Sequence, residues 1–149
     1  MKRKIYVASS WRNSLQPDVV KALRIQGHEV YDFRHPRPGN DGFGWSQMDA
    51  DWLNWTPERF VDRLYSSPVA RAGFLLDKAA LDWCDTCVCI LPSGRSAHLE
   101  LGYAVGRGKA TYVLLQPEKF EPELMYLLCD RVVCSLDELL PLTGMADAA

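Results

Sequence analysis

A buried strand that leads directly into a polar turn and a helix constrains the fold of this chain more than any other feature. Residues Thr86 to Leu91 form an apolar run, a short Ser, Gly and Arg turn follows over Pro92–Ser96, and a helix is predicted over Ser96–Gly106. An uninterrupted apolar run of this length, bounded by turn residues, is typical of a parallel strand that is covered on both faces. At such a junction the unpaired N–H groups and the dipole of the helix favour an anion.

The rest of the chain alternates predicted strands and helices. This alternation predicts a three-layer α/β sandwich with a parallel sheet. Five strands suit the flavodoxin-like order 2-1-3-4-5, in which ligands bind at the switch point between strands 1 and 3. The polar turns that follow those strands, Ser9–Ser14 and Pro92–Ser96, should therefore face each other across one crevice. The other predicted strands are Lys4–Ala8, His28–Phe33, Thr111–Leu115 and Arg131–Ser135, and the other helices are Leu15–Gln26, Pro57–Cys84 with a break near Pro68, Glu121–Leu128 and Leu136–Leu142.

Length and composition are those of one globular domain over residues 1–149. The 149 residues are 48% hydrophobic and 24% charged, and the net charge is −2. A chain of this length can bury a real core. This net charge does not indicate a basic surface for nucleic acid or an anionic membrane, and no apolar run reaches membrane-spanning length. Because the start, Met1-Lys-Arg-Lys, leads into a strand without a signal peptide, we expect a cytoplasmic protein with no nucleic-acid or membrane partner.

The five cysteines predict neither a disulfide framework nor a metal centre. Cys87 and Cys89 alternate within a strand, where cysteine serves as a small apolar residue. The spacing of Cys84 and Cys87 resembles half of a zinc site, but Cys129 and Cys134 do not supply a matching second pair. We therefore expect structural cysteines, no metal and no cofactor.

Residues 34–56 form a Pro-, Gly- and Trp-rich excursion that is much longer than an ordinary connection between a strand and a helix. Four aromatic residues are too many for a solvent-exposed linker, so they either pack as a satellite cluster or form a lid that stacks on a planar ligand. On the second alternative Trp45 is a candidate substrate-binding residue. The four are Phe43, Trp45, Trp52 and Trp55.

Asp77 is the first of two acidic residues that suggest chemistry. On a helical wheel it shares an apolar stripe with four residues. An Asp in such surroundings should have a raised pKa unless it is paired, which suits a proton donor or a hydrogen-bonding group at a ligand. The alternative is an Asp at the rim of the core that caps a neighbouring loop. The stripe consists of Ala70, Phe74, Asp77, Leu81 and Cys84.

Glu100 is the second acidic residue, and it lies one turn into the helix that follows the Pro92–Ser96 turn. Its side chain should project back towards that turn. A carboxylate beside an anion-binding turn is electrostatically unfavourable, which suggests chemistry more than stability. The alternative is a salt bridge to Arg107 or Arg95.

Hydroxyl and guanidinium groups in the two polar turns are candidate donors to a ligand. Clustered Ser and Arg residues supply the hydrogen bonds that a phosphate or a sugar hydroxyl needs. The alternative is that they only form the turns. The candidates are Ser9, Ser10 and Arg12 in the first turn and Ser93, Gly94, Arg95 and Ser96 in the second.

With these residues in place, the chain resembles the nucleoside 2-deoxyribosyltransferase family, which includes the 2′-deoxynucleoside 5′-monophosphate N-glycosidases. The resemblance spans most of the chain. It rests on Tyr6 in the first strand, the Ser10-Trp11-Arg12 turn, Asp77 eight residues before Asp85, and the Glu-Leu-Gly-Tyr-Ala motif that begins at Glu100.

The resemblance implies roles for the candidate residues. Glu100 would be the nucleophile that attacks the anomeric carbon and gives a covalent glycosyl-enzyme, and Asp77 would protonate or hold the departing base. Tyr6 would orient Glu100. Two carboxylates in unlike environments are what retaining glycoside chemistry requires. Ser10, Arg12, Ser93 and Ser96 would hold the sugar or a 5′-phosphate.

The resemblance also implies a partner subunit and a charged ligand. The Pro122–Met125 segment is similar to the place where family members reach into a neighbouring subunit's site, which predicts at least a dimer and makes Met125 a substrate-binding candidate. Glycosyl-transferring members often carry another acidic residue in the turn before the nucleophile. This chain has Ser93-Gly94-Arg95-Ser96 there, which favours a phosphorylated ligand over a free nucleoside.

The sequence therefore predicts cleavage or transfer at the N-glycosidic bond of a (deoxy)nucleotide or nucleoside. Two alternatives use the same crevice. One is a TIR-like NAD glycohydrolase, which is also flavodoxin-like with a helical Glu. The other is a nucleotide-binding sensor or interaction module without turnover.

Overall fold

The computed structural model describes residues 1–145 and contains one five-stranded sheet in this range. The strand order is β2-β1-β3-β4-β5, and every neighbouring pair is parallel. This is the flavodoxin-like order that the sequence predicts. The strands are β1 (Lys4–Ala8), β2 (Glu29–Asp32), β3 (Thr86–Ile90), β4 (Ala110–Leu114) and β5 (Arg131–Val133).

Five α-helices lie between and after the strands of the described chain, and each lies where the sequence predicts a helix. The predicted break near Pro68 is present, because α2 ends at Ser66 and α3 begins at Pro68. The predicted helix at Glu121–Leu128 is a short 3₁₀ helix, Leu124–Leu128. The α-helices are α1 (Gln16–Ile25), α2 (Pro57–Ser66), α3 (Pro68–Trp83), α4 (Arg95–Gly106) and α5 (Leu136–Gly144).

The chain divides into two units. The first contains Met1–Asp32 and the chain from Leu81 onward, and the second is Phe33–Ala80. The whole sheet belongs to the first unit. The expected single domain over residues 1–149 stays a prediction, and residues 146–149 lie outside the described range.

Helices cover both faces of the sheet in the first unit, as a three-layer sandwich requires. Side chains alternate between the faces along each strand. On one face, the strand side chains pack with α1 and α5 into a buried core that includes Ile5, Val88 and Leu139. The alternate positions, such as Cys87, lie on the other face, and α4 packs across β1, β3 and β4. The residues of α4 that are buried against the sheet are Ala97, Leu101 and Ala104. The two alanines are small and allow the helix to approach the sheet closely.

Arg3 ties the first strand to the end of the described chain. It is buried, and its Nε atom donates to the Thr143 carbonyl oxygen at 2.7 Å. Its Nη2 atom donates to the Met145 carbonyl oxygen at 2.5 Å, and its backbone N–H donates to Nδ1 of the buried His28 at 3.1 Å. Because a buried charged side chain is costly unless it is hydrogen-bonded, these bonds are needed to hold Arg3 in the interior.

An aromatic cluster organises the second unit. Trp45 makes edge-to-face contacts with Phe43, Trp55 and Phe60, at centroid distances of 5.0, 5.9 and 5.8 Å. The indole N–H of Trp55 donates to Asp49 at 2.9 Å. Residues 34–56 thus contain ordered packing and two short 3₁₀ helices, Trp45–Gln47 and Trp52–Asn54. These contacts favour the satellite cluster over the lid.

The predicted apolar stripe on α3 is wrong at Phe74, whose side chain is 62% exposed. Ala70 is buried, as predicted. The helix surface that meets the aromatic cluster passes instead through Gly73, where an added Cβ would lie 3.1 Å from the Phe43 ring. A residue without a side chain lets the ring approach the helix backbone closely. Leu81 and Cys84 are buried as predicted, so the stripe is wrong at Phe74 alone among its apolar members, and Gly73 lies on a second packed surface of the helix.

None of the helices within residues 1–145 is long and apolar enough to cross a bilayer.

Candidate active site

The turns after β1 and β3 are bonded to each other at the carboxyl end of the sheet. The Ser9 hydroxyl donates to the Ile90 carbonyl oxygen at 2.9 Å. The Asn13 side-chain nitrogen lies 3.4 Å from the same oxygen and donates to the Pro92 carbonyl oxygen at 3.1 Å. The two polar turns therefore meet at the switch point between β1 and β3, which is where the strand order predicts them.

Asn13 also starts α1. Its side-chain oxygen accepts hydrogen bonds from the N–H groups of Leu15 and Gln16, at 2.9 and 3.1 Å, and from the Gln116 amide at 3.3 Å. The residue is 2% exposed. Asn13 lies three residues before α1, and an Asn side chain that accepts from the N–H groups two and three residues further on is a common way to begin a helix.

Glu100 lies half-buried on α4, within electrostatic range of two thiols of β3. Burial raises the pKa of the Cys89 thiol to about 12, the Ser93 hydroxyl opposes this rise, and the negative charge of Glu100 adds to it. Burial likewise raises the pKa of Cys87, and the charge of Glu100 acts in the same direction. Burial therefore favours the neutral thiol at both cysteines, and the charge of Glu100 acts in the same direction.

Tyr6 lies on the same face of the sheet as these thiols. It pairs in register with Cys87 across β1 and β3, and residues paired in this way point to the same face. The ring is fully buried and stacks on Tyr31, with centroids 5.2 Å apart and planes at 21°. Tyr6 and Glu100 therefore share the α4 side of the sheet.

The remaining residues of the first turn have different environments. The Ser10 hydroxyl accepts the Arg12 backbone N–H at 3.1 Å, which is a local turn contact. The Arg12 side chain is exposed. Ser9 and Ser10 thus have structural hydrogen bonds, and Arg12 extends from the turn into solvent.

The second turn leaves the start of α4 open. Gly94 precedes the helix in an extended conformation and has no side chain to cap it. Arg95 and Ser96 are exposed, and Ser93 is half-buried with its hydroxyl 3.7 Å from the Cys89 sulfur. The first N–H groups of α4 therefore face outward at the edge where the two turns meet, an arrangement that favours an anion.

His98 and Tyr126, which no motif in the sequence singles out, contact each other beside the start of α4. The His98 ring lies 2.8 Å from the Gly94 carbonyl oxygen through Nδ1 and 2.8 Å from the Tyr126 hydroxyl through Nε2. Tyr126 belongs to the 3₁₀ helix next to Met125. No local pattern links residues so far apart in the chain, so the sequence held no signal for this pair.

The last three predicted site residues are Met125 in the first unit and Trp45 and Asp77 in the second. Met125 is 57% exposed, and its N–H donates to the Glu123 carboxylate at 2.9 Å. Trp45 is part of the aromatic cluster of the second unit. Asp77 is half-buried on α3, also within the second unit. The roles of all three stay predictions.

Residues 1–145 contain no group of three or more His, Cys, Asp and Glu side chains that could hold a metal ion. The cysteines in this range are all free thiols.

Solved structures share the fold of this chain. A 2-deoxyribosyltransferase from the psychrotolerant bacterium Bacillus psychrosaccharolyticus has a TM-score of 0.61 and 21% identity, and the match covers 98% of this chain and 93% of that one. The Clostridium botulinum CMP N-glycosidase BcmB has a TM-score of 0.51 and 16% identity, with 97% and 100% covered. A conserved protein from Enterococcus faecalis V583 has a TM-score of 0.59 and 16% identity, with 95% and 96% covered.

At these identities the comparisons establish the fold. The first of the three carries the name of the family that the sequence resembles. No protein-family model and no curated protein sequence matches the chain.

Proposed function

We propose that this chain is an enzyme of the nucleoside 2-deoxyribosyltransferase family that breaks the N-glycosidic bond of a nucleotide or nucleoside. The observation that carries the proposal is the position of Glu100. Glu100 is half-buried on α4, which packs on the side of the sheet that Tyr6 occupies, and it lies one turn into this helix. The fold shared with a 2-deoxyribosyltransferase and a CMP N-glycosidase adds support.

In this proposal Glu100 is the nucleophile. A Glu100 oxygen attacks the anomeric carbon, the bond from that carbon to the base nitrogen breaks, and the bonding electrons leave with the base. A covalent glycosyl-enzyme results, which water or a second base then resolves, as in retaining glycosidases. Glu100 is half-buried, which reduces its contact with water and favours its use as a nucleophile over a solvated ion pair.

Asp77 is the proposed acid that protonates or holds the departing base. A half-buried carboxyl group on a helix with apolar neighbours suits that role. Tyr6 is proposed to orient Glu100, since the two lie on one face of the sheet.

The substrate class that we propose is a nucleoside 5′-monophosphate. The N–H groups at the start of α4, which have no side-chain cap, meet the first turn at the switch point, and both Arg12 and Arg95 extend from these turns. Such groups together bind phosphate well. The name of the CMP N-glycosidase, whose substrate is a monophosphate, agrees with this choice.

We also propose that the chain acts as a dimer or a larger homo-oligomer, with the 3₁₀ helix at the subunit interface. Four of its five residues are large apolar side chains that are 57% to 83% exposed. An apolar surface of this kind is uncommon on a monomer and typical of an interface. Light scattering at assay concentration tests this, and a strictly monomeric active species would contradict it. The four residues are Leu124, Met125, Leu127 and Leu128.

Chromatography of a substrate panel tests the reaction. The purified chain is incubated with ribo- and deoxyribonucleosides and their 5′-monophosphates, with and without an added base. Free base without an acceptor indicates hydrolysis, and a new nucleoside or nucleotide indicates transfer. Binding without either product would support a sensor and overturn the proposed enzyme.

Glu100→Gln is the matched variant, because it keeps the shape of the side chain and removes the nucleophile. Loss of a covalent catalyst costs roughly 10⁴- to 10⁶-fold in turnover. We expect a folded variant with a loss of this order. The conservative control is Glu118→Gln, an exposed residue in the loop before the 3₁₀ helix. Retention of a tenth of the turnover by Glu100→Gln would exclude the nucleophile role.

A further inference from the structure

His98 connects two segments of the candidate site through its two ring nitrogens. Nδ1 lies 2.8 Å from the carbonyl oxygen of Gly94, the residue before α4, and Nε2 lies 2.8 Å from the hydroxyl of Tyr126 in the 3₁₀ helix. The two rings are nearly parallel, with centroids 5.8 Å apart and planes at 19°. The imidazole thus links the turn that begins α4 to the 3₁₀ helix.

The Gly94 carbonyl determines which nitrogen of neutral His98 carries the hydrogen. A carbonyl oxygen can only accept, so Nδ1 must donate. The other nitrogen of a neutral imidazole then has a lone pair and no hydrogen. Nε2 therefore accepts a hydrogen bond from the Tyr126 hydroxyl. Because the hydroxyl hydrogen of Tyr126 is directed at His98, its oxygen has only lone pairs left for any other partner.

Through His98, Tyr126 is connected to the helix that carries Glu100. His98 lies two residues before Glu100 on α4, and its bond to the Gly94 carbonyl oxygen holds it against the turn that begins this helix. The Tyr126 hydroxyl, 2.8 Å from His98 Nε2, therefore lies beside the start of α4. Burial raises the pKa of this hydroxyl to about 12.

We propose that His98 is a positioning residue of this site, and that Tyr126 is a specificity-determining residue whose oxygen accepts a hydrogen bond from a sugar hydroxyl of the substrate. The sugar contact rests on the proposed function, and the hydrogen placement between His98 and Tyr126 does not. An oxygen that can only accept selects a donor and repels an anionic group. A sugar hydroxyl is a donor that every nucleoside and nucleotide carries.

The hydrogen placement is measured in the wild-type chain by long-range ¹H–¹⁵N correlation of the histidine rings at mildly alkaline pH. We expect His98 to carry its hydrogen on Nδ1. His28 is a matched internal control, because its Nδ1 accepts the Arg3 N–H at 3.1 Å and its hydrogen must therefore be on Nε2. The two rings should give opposite patterns. A hydrogen on Nε2 of His98 overturns the inference for any substrate.

Two substitutions of His98 separate its two hydrogen bonds. In His98→Asn the amide nitrogen can stand in for Nδ1, which keeps the bond to Gly94 and loses the bond to Tyr126. In His98→Gln the longer amide can stand in for Nε2, and its oxygen can accept from Tyr126. Tyr126→Phe removes the hydroxyl and keeps the ring. Tyr65→Phe is the control for loss of a tyrosine hydroxyl, because Tyr65 is 85% exposed on α2.

Kinetics with the best substrate of the panel test the sugar contact. One neutral hydrogen bond corresponds to about a three- to ten-fold change in affinity. We expect Tyr126→Phe and His98→Asn each to raise KM by this factor with a smaller change in kcat, and His98→Gln to restore most of the loss. Tyr65→Phe should match the wild type. An unchanged KM in Tyr126→Phe and His98→Asn overturns the sugar contact.

Failure of the proposed function remains distinguishable from failure of this inference. If no nucleoside or nucleotide in the panel is turned over, the proposed function fails and the sugar contact fails with it. The ring measurement still decides the arrangement of His98 and Tyr126, because it needs no substrate.

Discussion

The side-chain nitrogen of Asn13 donates a hydrogen bond to the Pro92 carbonyl oxygen at 3.1 Å, and this contact joins the turn after β1 to the turn after β3. The same residue begins α1 through its side-chain oxygen. One buried amide therefore fixes the helix that follows β1 and the turn that precedes α4. The geometry of the proposed phosphate site depends on both, so Asn13 couples the stability of the fold to the shape of the site.

Asn13→Ala should destabilise the chain. It removes the helix cap and the donor to the Pro92 carbonyl oxygen, and such losses cost about 1–3 kcal/mol each in buried positions. We expect a decrease of about 2–4 kcal/mol in the free energy of unfolding, measured by urea denaturation. Asn54→Ala is the control, because Asn54 is exposed and bonds only to the exposed Asp51 among the contacts described. Equal effects of the two substitutions would contradict this role for Asn13.

The strand order and the helix positions could be predicted because strong local signals repeat along the chain. Pro68 separates α2 from α3, and Gly27, with a φ of +92°, ends α1 as a residue that readily adopts this conformation. Apolar runs locate the buried strands, and parallel connections leave few topologies. The meeting of the two polar turns follows from that topology, which is why Ser9 and Pro92 could be brought together without a structure.

The failures of prediction have a common physical cause, which is contact between residues that are distant in sequence. Gly73 packs against the Phe43 ring, and a helical wheel contains no such partner. His98 depends on Tyr126, which lies 28 positions away. Local periodicity specifies that a helix has a buried face, and tertiary packing decides which further residues, such as Gly73, meet a neighbour.

A 5′-phosphate should improve kcat/KM over the matching nucleoside. Charge-assisted hydrogen bonds are worth about 1.5–3 kcal/mol, so one such bond corresponds to at least about a ten-fold preference. Arg12→Ala should remove most of this preference and leave nucleoside turnover comparatively unchanged. Arg71→Ala, on the exposed side of α3, is the control for loss of a surface charge. Equal processing of nucleoside and monophosphate by the wild type would show that the turns do not bind phosphate.

Stability should fall as the pH decreases below the ordinary pKa of histidine. Burial lowers the pKa of His28 from 6.5, and the positive charges of the N-terminus and Arg3 lower it further. The unfolded chain therefore binds a proton at His28 more readily than the folded chain does. The contribution that neutral His28 makes to the free energy of unfolding is complete above pH 6.5, and it is lost as the pH falls towards the folded-state pKa.

Urea denaturation on both sides of that pH measures this loss. His28→Asn can keep an acceptor for the Arg3 N–H and removes the titrating ring, so its free energy of unfolding should decrease less on acidification than that of the wild type. His35→Asn removes an imidazole whose side chain is 68% exposed and should keep the wild-type decrease. If His28→Asn also keeps the full wild-type decrease, His28 is not its source.

Gly73→Ala should destabilise the chain even though alanine is the better helix former. The new Cβ would lie 3.1 Å from three atoms of the Phe43 side chain, and that ring is held in place by Trp45 at a centroid distance of 5.0 Å. Crowding in a packed site costs about 1–3 kcal/mol, which exceeds the gain of about 0.5–1 kcal/mol from replacing a helical glycine.

Gly102→Ala is the matched control, because Gly102 is exposed within α4 and an added Cβ meets nothing within 4 Å. The Gly102→Ala variant should be more stable than the wild type by about 0.5–1 kcal/mol in the same urea titration, since only the helix propensity of the residue changes. A double substitution separates crowding from other causes. In a Phe43→Ala background the ring is absent, so Gly73→Ala should change from destabilising to stabilising. If it stays destabilising in that background, contact with Phe43 is not the reason that position 73 is a glycine.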